Sequence, residues 1–283
     1  MKRIFIWVNL FCGLVTLFCA TSCEHEISVD YHHVSPKLVM NGIITPDSIL
    51  FTLEKTVDVT TPIDAKVDVI DAQVRVVGDD GSQCILTRQP LGSNRFVALD
   101  DLNHMVGGIY GVKYTVSATV GDDIIEGVST LSAPVTIENI KFEWVDLIGD
   151  TQSLFLTFDW QDSPDEENYY HFLIKRENGE AYSWSIRSDE GEDGNRIYAL
   201  QNCMSSEDSA KDAPDVFIED GETLTVEMRQ INRDTYYYLM SLIVGDNSSS
   251  NPIPFYTGED YLGYFEACTP RIYSITYHDN VLK

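Results

Sequence analysis

Short runs of alternating apolar and polar residues, or of β-branched residues, recur from Lys37 onward, and most end at Gly, Asp or Asn. A repeat of two positions is typical of strands that bury one face. Two of these runs predict a hairpin that turns at Asp79-Asp80-Gly81. Seven runs in the first part suit an immunoglobulin-like β-sandwich, namely Lys37–Ile44, Leu50–Val57, Ala72–Val77, Gln83–Arg88, Arg95–Leu99, Lys113–Val120 and Ile124–Leu131.

After Pro134 the β pattern continues less regularly and predicts a second β-rich domain. The fold class is therefore predicted as all-β, with an N-terminal immunoglobulin-like β-sandwich over residues 36–133 and a C-terminal β-rich domain over residues 134–283. The predicted strands of the second domain are Val135–Trp144, Leu154–Trp160, Tyr169–Arg176, Ala181–Arg187, Val216–Ile218, Thr223–Ile231 and Tyr264–Cys268.

Two segments of the second part depart from the β pattern. Between Ser188 and Pro214 lies a polar stretch that is too long for a tight turn. From Asp234 to Val244 the apolar side chains recur at helical spacing, and Asp234 is a residue type that caps helices. One short helix is predicted there, with Tyr236, Leu239, Met240 and Ile243 on one face.

The first 22 residues carry Lys2 and Arg3, then an apolar run from Ile4 to Ala20, and no acidic residue. This order predicts a signal peptide over residues 1–22. The run is long enough that an uncleaved transmembrane anchor is an alternative, as is a plain secretory signal.

Small residues at the end of this run, Ala20, Thr21 and Ser22, lead directly into Cys23. The segment resembles a bacterial lipobox, in which the Cys becomes the lipidated first residue of the mature chain. Cys23 is thus the candidate lipid attachment site, and residues 23–35 are the predicted tether. Glu24 and Glu26 resemble the surface-export signal of gut-type Bacteroidota lipoproteins. We therefore expect exposure at the cell surface, with the periplasmic face as the alternative.

Composition narrows the function classes. The chain has 43% hydrophobic and 23% charged residues, which excludes wholesale disorder. Its 19 Lys and Arg stand against 45 Asp and Glu, and the formal net charge is -26. A surface this acidic repels phosphate backbones, so nucleic acid is not an expected partner.

Cysteine usage follows the predicted cleavage. Cys84, Cys203 and Cys268 remain after the signal peptide and Cys23 are set aside. With three thiols at most one disulfide can form, and Cys203 with Cys268 is the candidate pair because both lie in the C-terminal part. No CxxC pair or Cys/His cluster has zinc-ligand spacing, so a zinc site is disfavoured.

The polar stretch raises the question of calcium. Asp189, Asp193 and Gly194 partly match an EF-hand loop, but the third position is Gly191, and the twelfth is Leu200 where a bidentate Glu is required. The EF-hand therefore fails, and no metal or cofactor is predicted. A looser carboxylate site, there or further upstream, is an alternative to a solvated acidic loop; the upstream acids are Asp162, Asp165, Glu166 and Glu167.

The sequence contains no catalytic motif that would indicate a reaction. The sequence has no GxSxG elbow, no HExxH and no phosphate-binding Gly loop. With so many acids, a carboxylate pair for glycoside hydrolysis can always be nominated, so the nomination has little value. No enzymatic activity is predicted.

Aromatic residues concentrate in the second half, where 12 of the 15 tyrosines lie from Tyr169 onward. Tyrosine rings fill cores or stack on ligands and partners. The predicted contacts with a ligand or partner are Tyr256, Tyr261 and Tyr264, which flank two glycines in a Pro- and Gly-containing segment. Packing into the core is the alternative.

Several short motifs together resemble one family. They are the lipobox, Pro36-Lys37-Leu38-Val39-Met40-Asn41-Gly42, Ala72-Gln73-Val74, Asn168-Tyr169-Tyr170, and Pro254 through Gly263-Tyr264-Phe265. They are similar to the Bacteroidota lipoproteins that contain the domain of unknown function DUF4249. Where that family usually has Ser-Asn-Ile after the late Pro, this chain has Phe255-Tyr256-Thr257.

The resemblance implies an outer-membrane lipoprotein, often encoded beside a TonB-dependent transporter, and it supplies no catalytic residue. We expect a lipid-anchored accessory that binds a small nutrient ligand or the transporter itself. A secreted carbohydrate- or peptide-active hydrolase and a surface adhesin are the alternatives. The hydrolase would need a pocket with paired carboxylates, or a nucleophile with its base, and the adhesin a flat Tyr-rich face.

Overall fold

The computed structural model describes residues 35–57, 61–62, 68–98, 109–146, 152–205, 217–245, 255–257 and 261–279. The predicted signal peptide and Cys23 lie outside these residues. Pro36–Lys283 forms one compact unit. Its described elements are β1 Leu38–Ile44, β2 Ile49–Lys55, β3 Gln73–Gly78, β4 Gln83–Ile85, β5 Thr87–Arg88, β6 Arg95–Val97, β7 Lys113–Val120, β8 Asp123–Thr130, β9 Ile137–Asp146, β10 Gln152–Gln161, β11 Tyr169–Arg176, β12 Ala181–Ser188, β13 Arg196–Asn202, β14 Met204–Ser205, β15 Phe217–Ile218, β16 Thr223–Ile231, α1 Arg233–Gly245, β17 Tyr261–Ala267 and β18 Arg271–Thr276.

The first sandwich packs a sheet of order β17-β1-β2-β6-β5 against one of order β4-β3-β7-β8. Alternation explains the packing, since Val74 and Val76 of β3 are buried while their neighbours Gln73 and Arg75 are exposed. Large buried side chains of this first core include Phe51, Phe96, Tyr114, Met40 and Phe265.

A second sandwich is formed by the sheets β13-β10-β9 and β12-β11-β16-β18, with a parallel pair β14-β15 beside them. Trp160, Tyr170 and Phe172 pack in its core, where the Trp160 and Tyr170 ring centroids are 5.0 Å apart. The all-β fold class with one short helix is confirmed. The division of the chain at residues 133 and 134 stays a prediction.

Strand β17 comes from the predicted second domain but lies in the first sandwich. It pairs in parallel with β1, from Leu38 opposite Tyr261 to Ile44 opposite Ala267. At Gly263 the backbone adopts φ 98°, and a Cβ there would collide with the carbonyl oxygen of Met40. Glycine is therefore required for this close pairing. The predicted strand Tyr264–Cys268 starts three residues too late.

Helix α1 covers the predicted helical segment, but its cap differs from the prediction. Asn232, not Asp234, caps the helix, because its Oδ1 accepts a hydrogen bond of 2.7 Å from the backbone N–H of Thr235. Asp234 lies in the first turn, where its charge suits the helix dipole. Tyr236, Leu239 and Met240 face a small third core, whereas Ile243 is exposed.

Three strand predictions need correction. The polar stretch after Ser188 contains strand β13, which pairs with β10. Strand β18 was not predicted. The predicted run Gln83–Arg88 is divided between β4, which pairs with β3, and β5, which pairs with β6 in the facing sheet. The chain therefore crosses between the two sheets at Leu86, a buried residue of the first core.

The candidate disulfide between Cys203 and Cys268 does not form, since Cys84, Cys203 and Cys268 are all free and buried. Cys203 belongs to the core of the second sandwich, next to Tyr182. Cys268 directly follows β17, and its N–H donates to the carbonyl oxygen of Ile44. Burial raises the pKa of both thiols. The two residues lie in different parts of the fold, which sequence separation alone does not reveal.

A buried network of charges joins the two sandwiches. Glu266 of β17 is 1% exposed and accepts hydrogen bonds from Arg229 of β16 and from His171 of β11. Arg229 also binds Glu227 at 2.5 Å, and Glu227 is 2.8 Å from Lys175. Burial alone would raise the pKa of Glu266, but His171 and Arg229 hold it below its ordinary value.

Candidate functional site

The predicted contact residue Tyr256 lies in the core of the first sandwich. It is 3% exposed, its hydroxyl donates a 2.7 Å hydrogen bond to the carbonyl oxygen of Met40, and its ring covers Gly127. Burial raises its pKa well above the ordinary tyrosine value. A surface contact role for Tyr256 is therefore wrong, because its ring is buried in the space that Gly127 leaves open.

The other two predicted contacts are half-buried. Tyr261 packs against the first core, and the ring centroid of Tyr264 lies 5.5 Å from that of Tyr238 in the third core. Burial raises the pKa of Tyr264. Their role in binding stays a prediction. Residues 251–254 and 258–260 of the same segment lie outside the described residues.

A groove of about 720 Å³ lies elsewhere, between two acidic loops and helix α1. The first loop connects β10 to β11, the second connects β12 to β13, and the helix forms the third side. Its lining residues are Asp165, Glu166, Glu167, Tyr169, Ser188, Asp189, Glu190, Gly191, Asp193, Tyr236, Tyr237 and Met240. Grooves of this volume are typical of ligand sites. This groove, defined by these residues and called the acidic groove below, is the candidate functional site.

Asn168 holds the two loops in place. Its backbone N–H donates to Asp189 Oδ2 at 2.8 Å, and its side-chain amide donates to the carbonyl oxygens of Ser163 and Glu166. Gln230 of β16 in turn donates to Asn168 Oδ1 at 2.5 Å. The loops are thus pre-shaped by hydrogen bonds to a buried side chain.

Three carboxylates converge where the two loops meet. Asp162, Asp189 and Asp193 each place one oxygen within 4.8 Å of the others. Asp162 and Asp189 are only 2% and 6% exposed. Carboxylate oxygens at such spacing are ligands that hard cations such as Ca²⁺ accept. In the sequence, Asp162 and the pair Asp189 and Asp193 lie in two separate acidic segments. The fold brings the two segments together.

Hydrogen bonds within the chain already orient these carboxylates. Asp162 accepts from the hydroxyl of Tyr170 and, at 2.9 Å, from the backbone N–H of Gly194. Asp193 Oδ1 accepts from the backbone N–H of Asp165 at 3.0 Å. Asp165 has φ 70°, a left-handed conformation that turns this N–H toward the second loop. The trio therefore closes the loops as well as offering oxygens to a cation.

An aromatic wall faces the acids. The ring of Tyr169 of β11 packs at a tilt against that of Tyr236, with centroids 4.8 Å apart, and the centroid of the Tyr237 ring lies 6.2 Å from that of Tyr169. The hydroxyl of Tyr169 donates to Glu167 at 2.8 Å. Burial, helped by Glu167, raises the pKa of Tyr169 to about 12. The ring hydroxyl therefore stays protonated and neutral at physiological pH.

Sequence reasoning identified neither the groove nor its aromatic wall. The triplet Tyr236-Tyr237-Tyr238 was visible, but its members divide, with Tyr238 inside the third core and Tyr237 39% exposed on the groove. The usable signal was the pair of acidic segments that each follow a strand. The pairing of Tyr169 with Ser188 places the start of β11, which the first acidic segment precedes, beside the end of β12, which the second acidic segment follows.

Comparison with known proteins places the chain in a family. Residues 24–272 match the family model described as Domain of unknown function (DUF4249). The chain belongs to the DUF4249 family. All lining residues of the acidic groove lie inside the part that matches DUF4249. No curated protein matches this DUF4249 chain.

Two of the solved structures that are similar to this chain come from chicken and from Legionella pneumophila. The two fibronectin type-III domain segment from chicken tenascin is 16% identical, with 86% of the DUF4249 chain and 99% of the tenascin segment covered and a TM-score of 0.24. A DUF4785 family protein from Legionella pneumophila subsp. pneumophila str. Philadelphia 1 is 19% identical, with 68% and 51% of the two chains covered and a TM-score of 0.20. Among the described residues of the DUF4249 chain, no helix has the length and apolarity needed to cross a membrane.

Proposed function

We propose that this protein is an outer-membrane lipoprotein of a Bacteroidota cell, anchored through a lipid on Cys23 and exposed at the cell surface. It serves as a non-enzymatic binding component of a TonB-dependent nutrient uptake system. The acidic groove is its binding site, for a nutrient ligand or for a segment of the transporter. No nucleic acid takes part.

The anchor is supported by the order of segments at the N terminus. Two basic residues, an apolar run and three small residues precede Cys23, and the family match begins at residue 24. The folded unit starts at Pro36, so the predicted tether of residues 23–35 can span at most ~47 Å between the lipid and the folded unit.

The single observation that carries a binding role is the acidic groove itself. It is concave, it combines an aromatic wall with polar groups, and its loops are held by Asn168 before any ligand arrives. A pre-shaped site loses little conformational entropy when a ligand binds. An adhesive face would instead be flat.

Co-purification from solubilised outer membranes tests this function. The full-length wild type, carrying an affinity tag, is expected to retain a TonB-dependent transporter identified by mass spectrometry. The variant Glu166→Gln/Glu190→Gln changes two exposed groove acids and should lose most of the transporter or the capacity for ligand uptake. The control Asp122→Asn/Asp123→Asn makes the same charge change at the exposed end of the β7–β8 hairpin and should behave as the wild type. Equal recovery and uptake for both variants would contradict the proposal.

A further inference from the structure

From Tyr236 onward, helix α1 carries no charged side chain. Its sequence from Tyr236 to Gly245 is YYYLMSLIVG. In the last turn Leu242, Ile243 and Val244 are all exposed, Val244 by 52%. Successive side chains of a helix point about 100° apart, so three exposed neighbours leave this helix end uncovered on more than one side. A helix with apolar side chains all round is normally buried, so this end is suited to contact with something outside the described chain.

Hydrogen bonds place the exposed helix end at the start of strand β17. Thr235 Oγ1 donates to the carbonyl oxygen of Phe265 at 3.1 Å. Further along the helix, the hydroxyl of Tyr238 accepts from the backbone N–H of Gly263 at 3.0 Å. The helix therefore runs antiparallel to β17, and another turn advances it by about 5 Å, close to the rise of two strand residues. Its last turn thus lies level with Tyr261, where β17 begins.

The chain enters the folded unit at the same end of the first sandwich. Strand β1 is parallel to β17, and the first residues of the two strands pair with each other. Pro36, where the folded unit starts, therefore lies at this end. Strand β2 also ends here, since the backbone N–H of Thr56 donates to the carbonyl oxygen of Lys37 at 2.9 Å. The next residue, Val57, is 72% exposed.

The exposed apolar side chains at this end of the sandwich are called the apolar end below. They are Val57, Leu242, Ile243 and Val244. In the sequence, charged residues resume at Asp58 and Asp246, which limits the apolar end to these four side chains.

The proposed lipid on Cys23 favours one occupant of the apolar end. The tether of residues 23–35 joins the fold at this end and cannot hold it further than ~47 Å from the bilayer. The apolar end therefore meets a lipid surface at a high effective concentration, where weak attraction is enough for contact. The whole chain has a net charge of -26, which an anionic headgroup layer repels. An uncharged helix end is the part of this protein that is suited to lipid.

We propose that the apolar end docks on a lipid surface and holds the first sandwich against the bilayer. This contact rests on the proposed anchor at Cys23 for its proximity to lipid, and it adds a second membrane contact made by the folded protein itself. Leu242, Ile243 and Val244 enter the boundary between headgroups and acyl chains, as the apolar faces of interfacial helices do. Helix α1 has 13 residues, too few to cross a bilayer. The attraction is apolar, so it persists when salt screens the charges.

Chemical tethering tests the contact without natural lipidation. The mature chain is coupled through the Cys23 thiol to a maleimide lipid in phosphatidylcholine vesicles, since its other thiols are buried. Hydrogen–deuterium exchange, followed by mass spectrometry, compares it with the same chain free in solution and blocked at Cys23 with N-ethylmaleimide. Backbone exchange from Ser241 to Gly245 should be at least about threefold slower on vesicles, because lipid contact suppresses opening of the helix end. Unchanged exchange there would overturn the proposal.

Two double variants separate this contact from general attraction between exposed apolar residues and lipid. Leu242→Asn/Val244→Asn removes apolar surface from the helix end without adding charge, so exchange should return to its rate in solution. Leu200→Asn/Ile272→Asn makes a comparable change at two exposed apolar residues of the second sandwich and should keep the slower exchange. All four side chains are exposed, so both variants should melt at the wild-type temperature. Equal loss of the slowing in both variants would contradict docking through the apolar end.

Two further measurements distinguish other causes of slower exchange. Slowing in concentrated protein without vesicles, together with a dimer in analytical ultracentrifugation, would assign the apolar end to a second copy of the chain and overturn the proposal. Slowing that disappears at high salt concentration would show electrostatic attraction and would overturn it as well.

The proposed anchor fails separately from the docking surface. If vesicles slow the exchange but fatty-acid labelling in cells does not depend on Cys23, the docking surface holds and the natural anchor does not. If Cys23 carries the lipid but vesicles leave the exchange unchanged, the reverse is true.

Discussion

The Nδ1 atom of His171 lies 2.6 Å from Oε1 of Glu266, and this contact connects strand β11 of the second sandwich to strand β17 of the first. Glu266 also binds Arg229, so one carboxylate satisfies two basic groups inside the protein. A buried charge of this kind holds a junction together only while all its partners are present.

Glu266→Gln removes the carboxylate and leaves Arg229 facing a neutral amide. Breaking a buried ion pair costs about 3–5 kcal/mol of unfolding free energy. Urea denaturation followed by tryptophan fluorescence measures the loss. Asp220→Asn, which removes an exposed partner of His278, serves as the control and should change stability little. A loss below about 1 kcal/mol for Glu266→Gln would show that the network contributes only to specificity.

Acid should weaken the same junction. The pKa values of Glu266 and Glu227 are held below the ordinary value in the folded protein, by His171 and Arg229 for the first and by Arg229 and Lys175 for the second. Their stabilisation is therefore fully present above the ordinary glutamate pKa of about 4.3 and is lost as the pH falls through the folded pKa values. Thermal unfolding across this range should show a falling melting temperature. The slope should be shallower in Glu266→Gln, and an unchanged slope would exclude Glu266 as a source.

Two substitutions of Tyr256 test whether its ring belongs to the core or to a contact surface. Tyr256→Ala should cost about 3–5 kcal/mol, as for other large aromatic truncations in cores. Tyr256→Phe keeps the ring and loses only the hydrogen bond to Met40, so about 1 kcal/mol is expected. Chemical denaturation of the three proteins gives the comparison. Wild-type stability in Tyr256→Ala would place the ring on the surface after all.

Gly263 and Gly179 form a matched pair for backbone strain. Both have positive φ, but a Cβ at Gly179 meets nothing within 4 Å, whereas one at Gly263 meets the backbone of Met40. Gly179→Ala should cost about 1–3 kcal/mol from strain alone. Gly263→Ala adds the collision between β17 and β1 and should cost about 2–6 kcal/mol. Similar losses for both variants, measured by denaturation, would show that the two strands separate easily.

The proposed lipid anchor on Cys23 predicts a simple labelling result. Cys23→Ser removes the thiol that would accept the lipid, so labelling with an alkyne fatty acid in growing cells should fall to background. The variant should also leave the outer-membrane fraction. Cys84→Ser, which removes a buried thiol, should keep the label. Equal labelling of wild type and Cys23→Ser would refute the lipid assignment.

The sequence pattern predicted the bounds of some strands correctly and missed others. Strands β11 and β16 begin and end where the sequence predicts. Alternation is clear in β16, whose Leu224, Val226 and Met228 face the second core, whereas β11 buries both of its faces from Tyr169 to Phe172. Strand β13 was missed because Tyr198 and Leu200 point outward and polar residues surround them. A strand whose apolar side chains point to solvent among polar residues has the sequence pattern of a loop, and it was predicted as one.

Features that depend on distant contacts could not be predicted. Nothing near Tyr256 indicates that Gly127 leaves room for its ring, and nothing near Leu38 indicates a partner at Tyr261. For the candidate site, the sequence showed the acids of both loops and the tyrosine triplet. It did not show that Asp162 meets Asp189, since that distance depends on how β10, β11, β12 and β13 are arranged.

The parallel pairing of β1 with β17 has a consequence for the order of folding. During synthesis the chain emerges from its N terminus, so β1 is available long before β17. Until residue 267 has emerged, β1 is an open edge whose backbone groups can pair with another chain. The first sandwich therefore cannot reach its final form domain by domain, and a chain truncated before Tyr261 would be prone to aggregate even though every residue of β1 to β8 is present.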